Sequence, residues 1–141
     1  MINTNVGFSR RRVQRGHQAA MKYHTSLSAD KRYVYTKISG PVDAASMLAC
    51  FLAAHQSARL AGVTRHLMDL TQARNHLSTL ENYRFAYNDM NHPGIDRLAR
   101  VAMLVSPDDH SHDFLETLSR NAGRDLTLFT RREDAERYLR G

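Results

Sequence analysis

The chain has 141 residues, 42% of them hydrophobic and 24% charged, a composition that fits one globular domain and excludes wholesale disorder. No apolar run approaches the ~20 residues a membrane-spanning helix needs. The single cysteine, Cys50, excludes an internal disulfide framework and a cysteine-built zinc site. The net charge of +6 is unevenly placed: residues 1–20 hold Arg10, Arg11, Arg12 and Arg15 and no acid, whereas the remainder holds 16 of the 20 basic residues and all 14 acidic ones.

Residues 1–20 therefore read as a basic arm ahead of a nearly balanced domain at 21–141. The arm lacks a hydrophobic face, and Met21 stands just before the first strand-like segment, so a disordered or non-native leader is the expectation. A nucleic-acid partner is expected only through Arg10, Arg11, Arg12 and Arg15, because clustered arginines neutralise phosphates whatever the base sequence. No apolar h-region follows the arginines, which excludes a secretory signal, and a cytoplasmic protein is expected.

From Met21 the pattern alternates. Lys22–Leu27 and Arg32–Ile38 read as strands around the polar turn Ser28–Lys31; in the second, Val34, Thr36 and Ile38 share one face and Tyr33, Tyr35 and Lys37 the other. Gly40 and Pro41 are expected to end it. Asp43 can cap a helix carrying Met47, Leu48, Phe51 and Leu52 at helical spacing, with Gly62 as the stop and Cys50 as a buried, inert thiol. His66–Leu70 is a short strand. Ser78 and Glu81 form a capping box opening a second helix, with Leu80, Tyr83, Tyr87 and Met90 predicted along its buried stripe and rim, and Pro93-Gly94 beyond its end. Val101–Val105 is a continuous apolar strand of the kind found inside a sheet. Phe114, Leu115, Leu118 and Ala122 mark a third helix stopped by Gly123. Leu126–Phe129 is the last strand, and Thr130 with Glu133 predicts a second capping box ahead of a short helix through Ala135, Tyr138 and Leu139. The order β-β-α-β-α-β-α-β-α predicts a single α/β domain with a mostly parallel five-stranded sheet and four helices.

Several segments in this order carry a resemblance. They are Ser39-Gly40-Pro41, Leu67-Met68-Asp69-Leu70-Thr71, His92-Pro93, Arg100 to Val105, Ala122-Gly123, Leu128-Phe129-Thr130 and Glu133 to Leu139. Together they resemble the SpoIIAA-like branch of the STAS domains (sulfate transporter and anti-sigma-factor antagonist) from about residue 22 to 140, with Tyr138 where that family usually has Trp. The resemblance implies successive β-α units on one sheet and a non-enzymatic binding or regulatory role. It also points to the loop after the Asp69 strand, where anti-sigma antagonists carry a phosphorylatable serine in an Asp-Ser-x-Gly motif. Here Asn75-His76-Leu77-Ser78-Thr79-Leu80 has neither the preceding acid nor the following glycine, so the phosphoswitch does not carry over. Asp69, Thr71, Ser78 and Thr79 are the binding or switch candidates.

Other groups invite chemistry. Asp108-Asp109-His110-Ser111-His112-Asp113 could ligate a divalent ion through His110, His112 and Asp113, yet these residue types are also favoured in a strand-to-helix turn. Tyr83 and Tyr87, with Arg84 between, could stack on a ligand. No Gly-x-Ser-x-Gly elbow or phosphate-cradling glycine loop is present, and the remaining histidines lack motif partners. The expected function is a non-enzymatic module recognising a protein partner or a small apolar or anionic ligand, with no cofactor. The alternative is a metal-dependent protein or enzyme built on His110, His112 and Asp113. Phe129 and Tyr138 are expected to pack structurally. If the crossover helices cover one sheet face, the apolar strands leave the other to be covered, and a homodimer is expected to cover it.

Overall fold

In the computed structural model, residues 20–141 are described; Arg10, Arg11, Arg12 and Arg15 lie outside them. The chain runs β1 (Lys22–Leu27), β2 (Val34–Val42), α1 (Ala44–Ala61), β3 (Arg65–Asn75), α2 (Thr79–Tyr87), a 3-10 turn (Asp89–Asn91), β4 (Arg100–Leu104), α3 (Asp113–Asn121), β5 (Asp125–Phe129) and α4 (Arg132–Arg140). The five strands lie in sequence order in one sheet, with β1–β2 antiparallel and the other three pairs parallel. This is the predicted α/β order.

Local chemistry accounts for most boundaries. Asp43 accepts from Ser46 N–H at 2.9 Å to open α1, and Gly62, at φ +71°, closes it in the left-handed conformation that a side chain would strain. Ser78 and Glu81 form the reciprocal capping box that opens α2. Two expectations are corrected. β2 runs through Gly40 and Pro41 to Val42, because Gly40 adopts φ +90° with the Ala20 carbonyl so close that a Cβ would lie 2.9 Å from its oxygen. Thr130 does not cap α4: the helix starts one residue late for a Thr130–Glu133 box, with Arg131 at the cap and Glu133 and Asp134 in the first turn facing the helix dipole.

The main core lies between the sheet and α1, α2 and α3. Val34, Ile38, Met68, Leu70, Val101 and Met103 of the sheet meet Met47, Phe51, Ala54, Phe85, Leu115 and Leu118 of the helices. Cys50 is fully buried here, and burial pushes its thiol up to about 12, as expected of an inert core residue. The stripe predicted for α2 is reversed except at Met90: Phe85 and Ala86 are buried, while Leu80, Tyr83 and Tyr87 are exposed.

The opposite sheet face is where the expectation of a covering second copy meets the structure. α4 lies on that face, and its Ala135 and Leu139 pack with Tyr33, Leu67, Ala102 and Leu104, flanked by Tyr35, Phe129 and Tyr138. The apolar residues that motivated a homodimer are thus covered within the chain. Among the described residues, no helix is long and apolar enough to cross a membrane.

Candidate functional site

Asp69 and Thr71 sit together on β3, where the parallel pairing with β2 slips. Lys37 pairs with Asp69 but Ser39 with Gln72, so β3 carries one extra residue between those pairs. Such a bulge takes a backbone N–H out of the ladder, and the Asp69 carboxylate captures it: Thr71 N–H donates to Oδ1 at 3.0 Å and the Thr71 hydroxyl donates at 2.6 Å. Oδ2 accepts from the Tyr35 hydroxyl at 2.7 Å. Burial alone would raise the Asp69 carboxyl; these hydrogen bonds and the Lys37 ammonium outweigh it and hold the group below the ordinary carboxylate range. With both oxygens engaged and the residue buried, Asp69 ties a bulge to its neighbouring strand.

Beside it, the Tyr33 hydroxyl donates to Glu136 at 2.7 Å, Arg132 approaches Glu136 at 3.5 Å and lies 4.8 Å over the Tyr35 ring, and Arg140 pairs with Asp30 at 3.0 Å. These groups line a groove of about 350 Å³ between α4 and β2. The Tyr33–Glu136, Arg132–Tyr35 and Arg140–Asp30 contacts join α4 to the β1–β2 hairpin, so the network anchors a helix that has only Ala135 and Leu139 buried.

Ser78 and Thr79 belong to a different region, at the start of α2 beyond the far end of β3. The Ser78 hydroxyl accepts from Glu81 N–H at 3.2 Å and is committed to the cap. Both residues are exposed, and neither shares a hydrogen bond with Asp69 or Thr71. The four switch candidates therefore form two separate pairs.

The histidine–acid run is divided by its own turn. His112 is buried, with Nε2 3.0 Å from the Ala73 carbonyl and 3.4 Å from Asp109. His110 points out and pairs with Asp113 at 3.1 Å. A carbonyl only accepts, so Nε2 of His112 carries the proton and donates to Ala73, which removes that nitrogen's lone pair from ligation. Among the described residues, no three His, Cys, Asp or Glu side chains converge as a metal site.

The structure also assembles two further features, of which the sequence had marked only the Tyr83–Tyr87 pair. The first is an aromatic face. Leu80, Tyr83 and Tyr87 of α2 and Phe114 of α3 are each between 38% and 56% exposed. Tyr83 stacks on Tyr87 with ring centroids 6.0 Å apart and meets Phe114 edge-on at 5.7 Å. The second is a pair of core histidines. His55, on α1 in register with Phe51 one turn earlier, stacks against His66 of β3 at 4.3 Å with the rings 27° apart. They are 2% and 1% exposed. They border a cavity of about 440 Å³ lined also by Ala58, Arg59, Val63 and Asp96. His55 and His66 both occupy inward positions of apolar elements, the one sequence signal that sets them apart from the other histidines.

No family model matches this chain, and no curated protein matches it. Among solved structures, it is similar to an uncharacterized protein from the DUF3478 family with a SpoIIAA-like fold from Shewanella loihica PV-4. The identity is 19%, with 90% of this chain and 98% of that one covered and a TM-score of 0.48. It is also similar to an antisigma-factor antagonist STAS domain from Rhodobacter sphaeroides, at 17% identity over 78% of this chain and 86% of that one, with a TM-score of 0.34. The sheet in strand order 1-2-3-4-5, with a helix following each of β2 to β5, has the successive β-α units on one sheet that the resemblance implies.

Proposed function

We propose that the protein is a non-enzymatic binding module of the cytoplasm that docks a protein partner on the aromatic face of α2 and α3. The observation that carries this reading is the cluster of Leu80, Tyr83, Tyr87 and Phe114 held half-exposed across two helices. Tyrosine and phenylalanine are enriched where interfaces form, because they bury much area at small entropic cost, and tyrosine hydroxyls keep such a face soluble when the partner is absent. That amphipathic character suits a reversible partner better than a permanent second copy, whose interface would be more apolar. α4 already occupies the sheet face once assigned to a homodimer. The hydroxyls and carboxylates of the sequence candidates have structural duties: Ser78 caps a helix and Asp69 holds a bulge. This supports binding over catalysis, and the one cysteine, buried and free, suits a reducing compartment.

Site-specific photocrosslinking in the native cell tests the proposal. With benzoylphenylalanine replacing Leu80 in the full chain, irradiation should give one discrete adduct to a different protein. The same reporter at Leu60, exposed on α1, should not give it. Tyr83→Ala with Phe114→Ala should abolish the adduct while leaving the melting temperature within a few degrees. An adduct that persists in the double variant, that forms equally from position 60, or that joins two copies of this chain would overturn the reading.

A further inference from the structure

A cavity of about 440 Å³, within the range of small-molecule sites, opens between the C-terminal half of α1, the start of β3 and the loop ahead of β4. None of its lining residues belongs to α2 or α3, so it is separate from the aromatic face. The loop that carries Pro93 and Asp96 is braced from two sides. Arg59 of α1 donates to the Gly94 carbonyl at 2.9 Å, and Arg124 donates to the Met90 carbonyl and, at 3.0 Å, to Asn91 Oδ1.

Recognition in this cavity falls to its accessible groups, because the unbonded ring nitrogens of His55 and His66 are sealed from solvent. Ala58, Val63 and Pro93 supply an apolar wall. Arg59 and Asp96 are both exposed, and they act on His55 in opposite senses, so the two charges stand near the same ring. Among the described residues, they pair neither with each other nor with any other charged side chain. Each keeps hydrogen-bonding capacity to spare. Arg59 spends only Nη1 on Gly94, and Asp96 spends Oδ1 on the Leu98 N–H at 2.9 Å, which leaves Oδ2 open.

Two opposite charges held apart beside an apolar wall select the ligand. A simple anion would meet Arg59 but also Asp96, and a simple cation the reverse. An uncharged molecule would desolvate both charges without pairing either. A zwitterion answers both with charge-assisted hydrogen bonds. Where its two charges sit on one carbon, the side chain is free to lie on the apolar wall. A chain running between the charges would instead hold its apolar part away from that wall.

We propose that this cavity binds a free α-amino acid with an apolar side chain, its carboxylate on Arg59, its ammonium on Asp96 and its side chain against Ala58, Val63 and Pro93.

L-Leucine, 4-methylpentanoate and 3-methylbutylammonium share one branched body and carry both charges, the carboxylate alone or the ammonium alone. The full chain, labelled with nitrogen-15, is titrated with each at pH 7 while its backbone amides are observed. L-Leucine should shift the Gly62, Val63 and Gly94 amides saturably, with the two singly charged analogues at least roughly tenfold weaker. Asp96→Asn, which keeps an acceptor for the Leu98 N–H, should weaken L-leucine to the level of 4-methylpentanoate at a melting temperature within a few degrees of the native chain. Arg59→Gln should weaken it toward the level of 3-methylbutylammonium. Absence of a saturable L-leucine shift, shifts centred away from this cavity, or a singly charged analogue binding as tightly would each overturn the proposal. So would unaltered L-leucine binding in either variant when folded. If Arg59→Gln loosens the loop and does not fold, Asp96→Asn and the three titrations of the native chain decide.

Discussion

A buried imidazole stays neutral because desolvation penalises its charged form, and His55 and His66 show this in the same stack. Burial, helped by the neighbouring His55, pushes His66 down to about 3. Burial also lowers His55, with Arg59 and Arg124 acting in the same sense and the Phe51 carbonyl and Asp96 opposing. In the unfolded chain both titrate near ~6.5. Below that value the unfolded chain takes up protons that the folded chain refuses, so the stability associated with these residues is complete above about pH 6.5 and drains away as the pH falls toward 3. Each histidine should cost on the order of 1.4 kcal/mol per pH unit within its window. The carboxylates held low in the fold, Asp30, Asp69, Asp109 and Glu136, begin to lose their contributions only below about pH 5, so the interval above that belongs to the histidines. Urea unfolding at pH 7, 6 and 5 should show falling stability in the native chain and a distinctly shallower fall in His66→Phe. Parallel slopes would mean that His66 is not the buried neutral base described here.

At the scale of elements, α4 is the informative case, since it is attached by little apolar area and several polar ties. Phe129 at the end of β5 and Tyr138 of α4 meet with ring centroids 5.2 Å apart, and Arg100 lies 4.9 Å from the Tyr138 ring centroid. Both aromatics are half-buried and flank the cluster that α4 closes. Their predicted role in packing is the one the structure gives them. Fully buried Phe→Ala changes cost roughly 3–5 kcal/mol, so Phe129→Ala should cost less, about 2–3 kcal/mol, by chemical denaturation. If stability is unchanged while the photocrosslink at position 80 disappears, Phe129 serves binding rather than packing. α2 shows the other limit of reading elements alone. With nine residues it makes two and a half turns, too few for one apolar stripe to dominate. Leu80, Tyr83 and Tyr87 compete with Phe85 and Ala86, and α1 and α3 decide which face turns inward.

At the scale of the molecule, the first described residues already belong to the fold: Met21 is buried in the main core and Ala20 backs Gly40. The basic arm before them was expected to contribute no buried stripe. A chain beginning at Met21 should therefore melt within a few degrees of the full chain, as scanning calorimetry would show. A drop of ten degrees or more, equivalent to roughly 2 kcal/mol for a domain of this size, would place part of residues 1–20 in the core. With the second sheet face filled by α4, the same chain should sediment as a monomer at micromolar concentration. A dimer there would require another surface, for which the α2–α3 aromatics are the candidate.

What the amino-acid sequence determined by itself was whatever depends on near neighbours: the order of strands and helices, the caps at Asp43 and Ser78, the stop at Gly62, and the buried character of Val101–Val105. Each follows from a hydrogen bond or a periodicity spanning a few residues. The element order also implied the mostly parallel sheet. Of the candidate site, Asp69 and Thr71 were legible as notable residues, but their tie to Tyr35 required the bulge, which exists only when β2 and β3 are paired. The position of α4 on the second face, the outward turn of Tyr83 and Tyr87, and the meeting of His55 with His66 across 11 positions and two elements were decided by tertiary packing. A period of 3.6 or 2 says that a residue lies on a face, whereas what that face meets depends on elements distant in the chain.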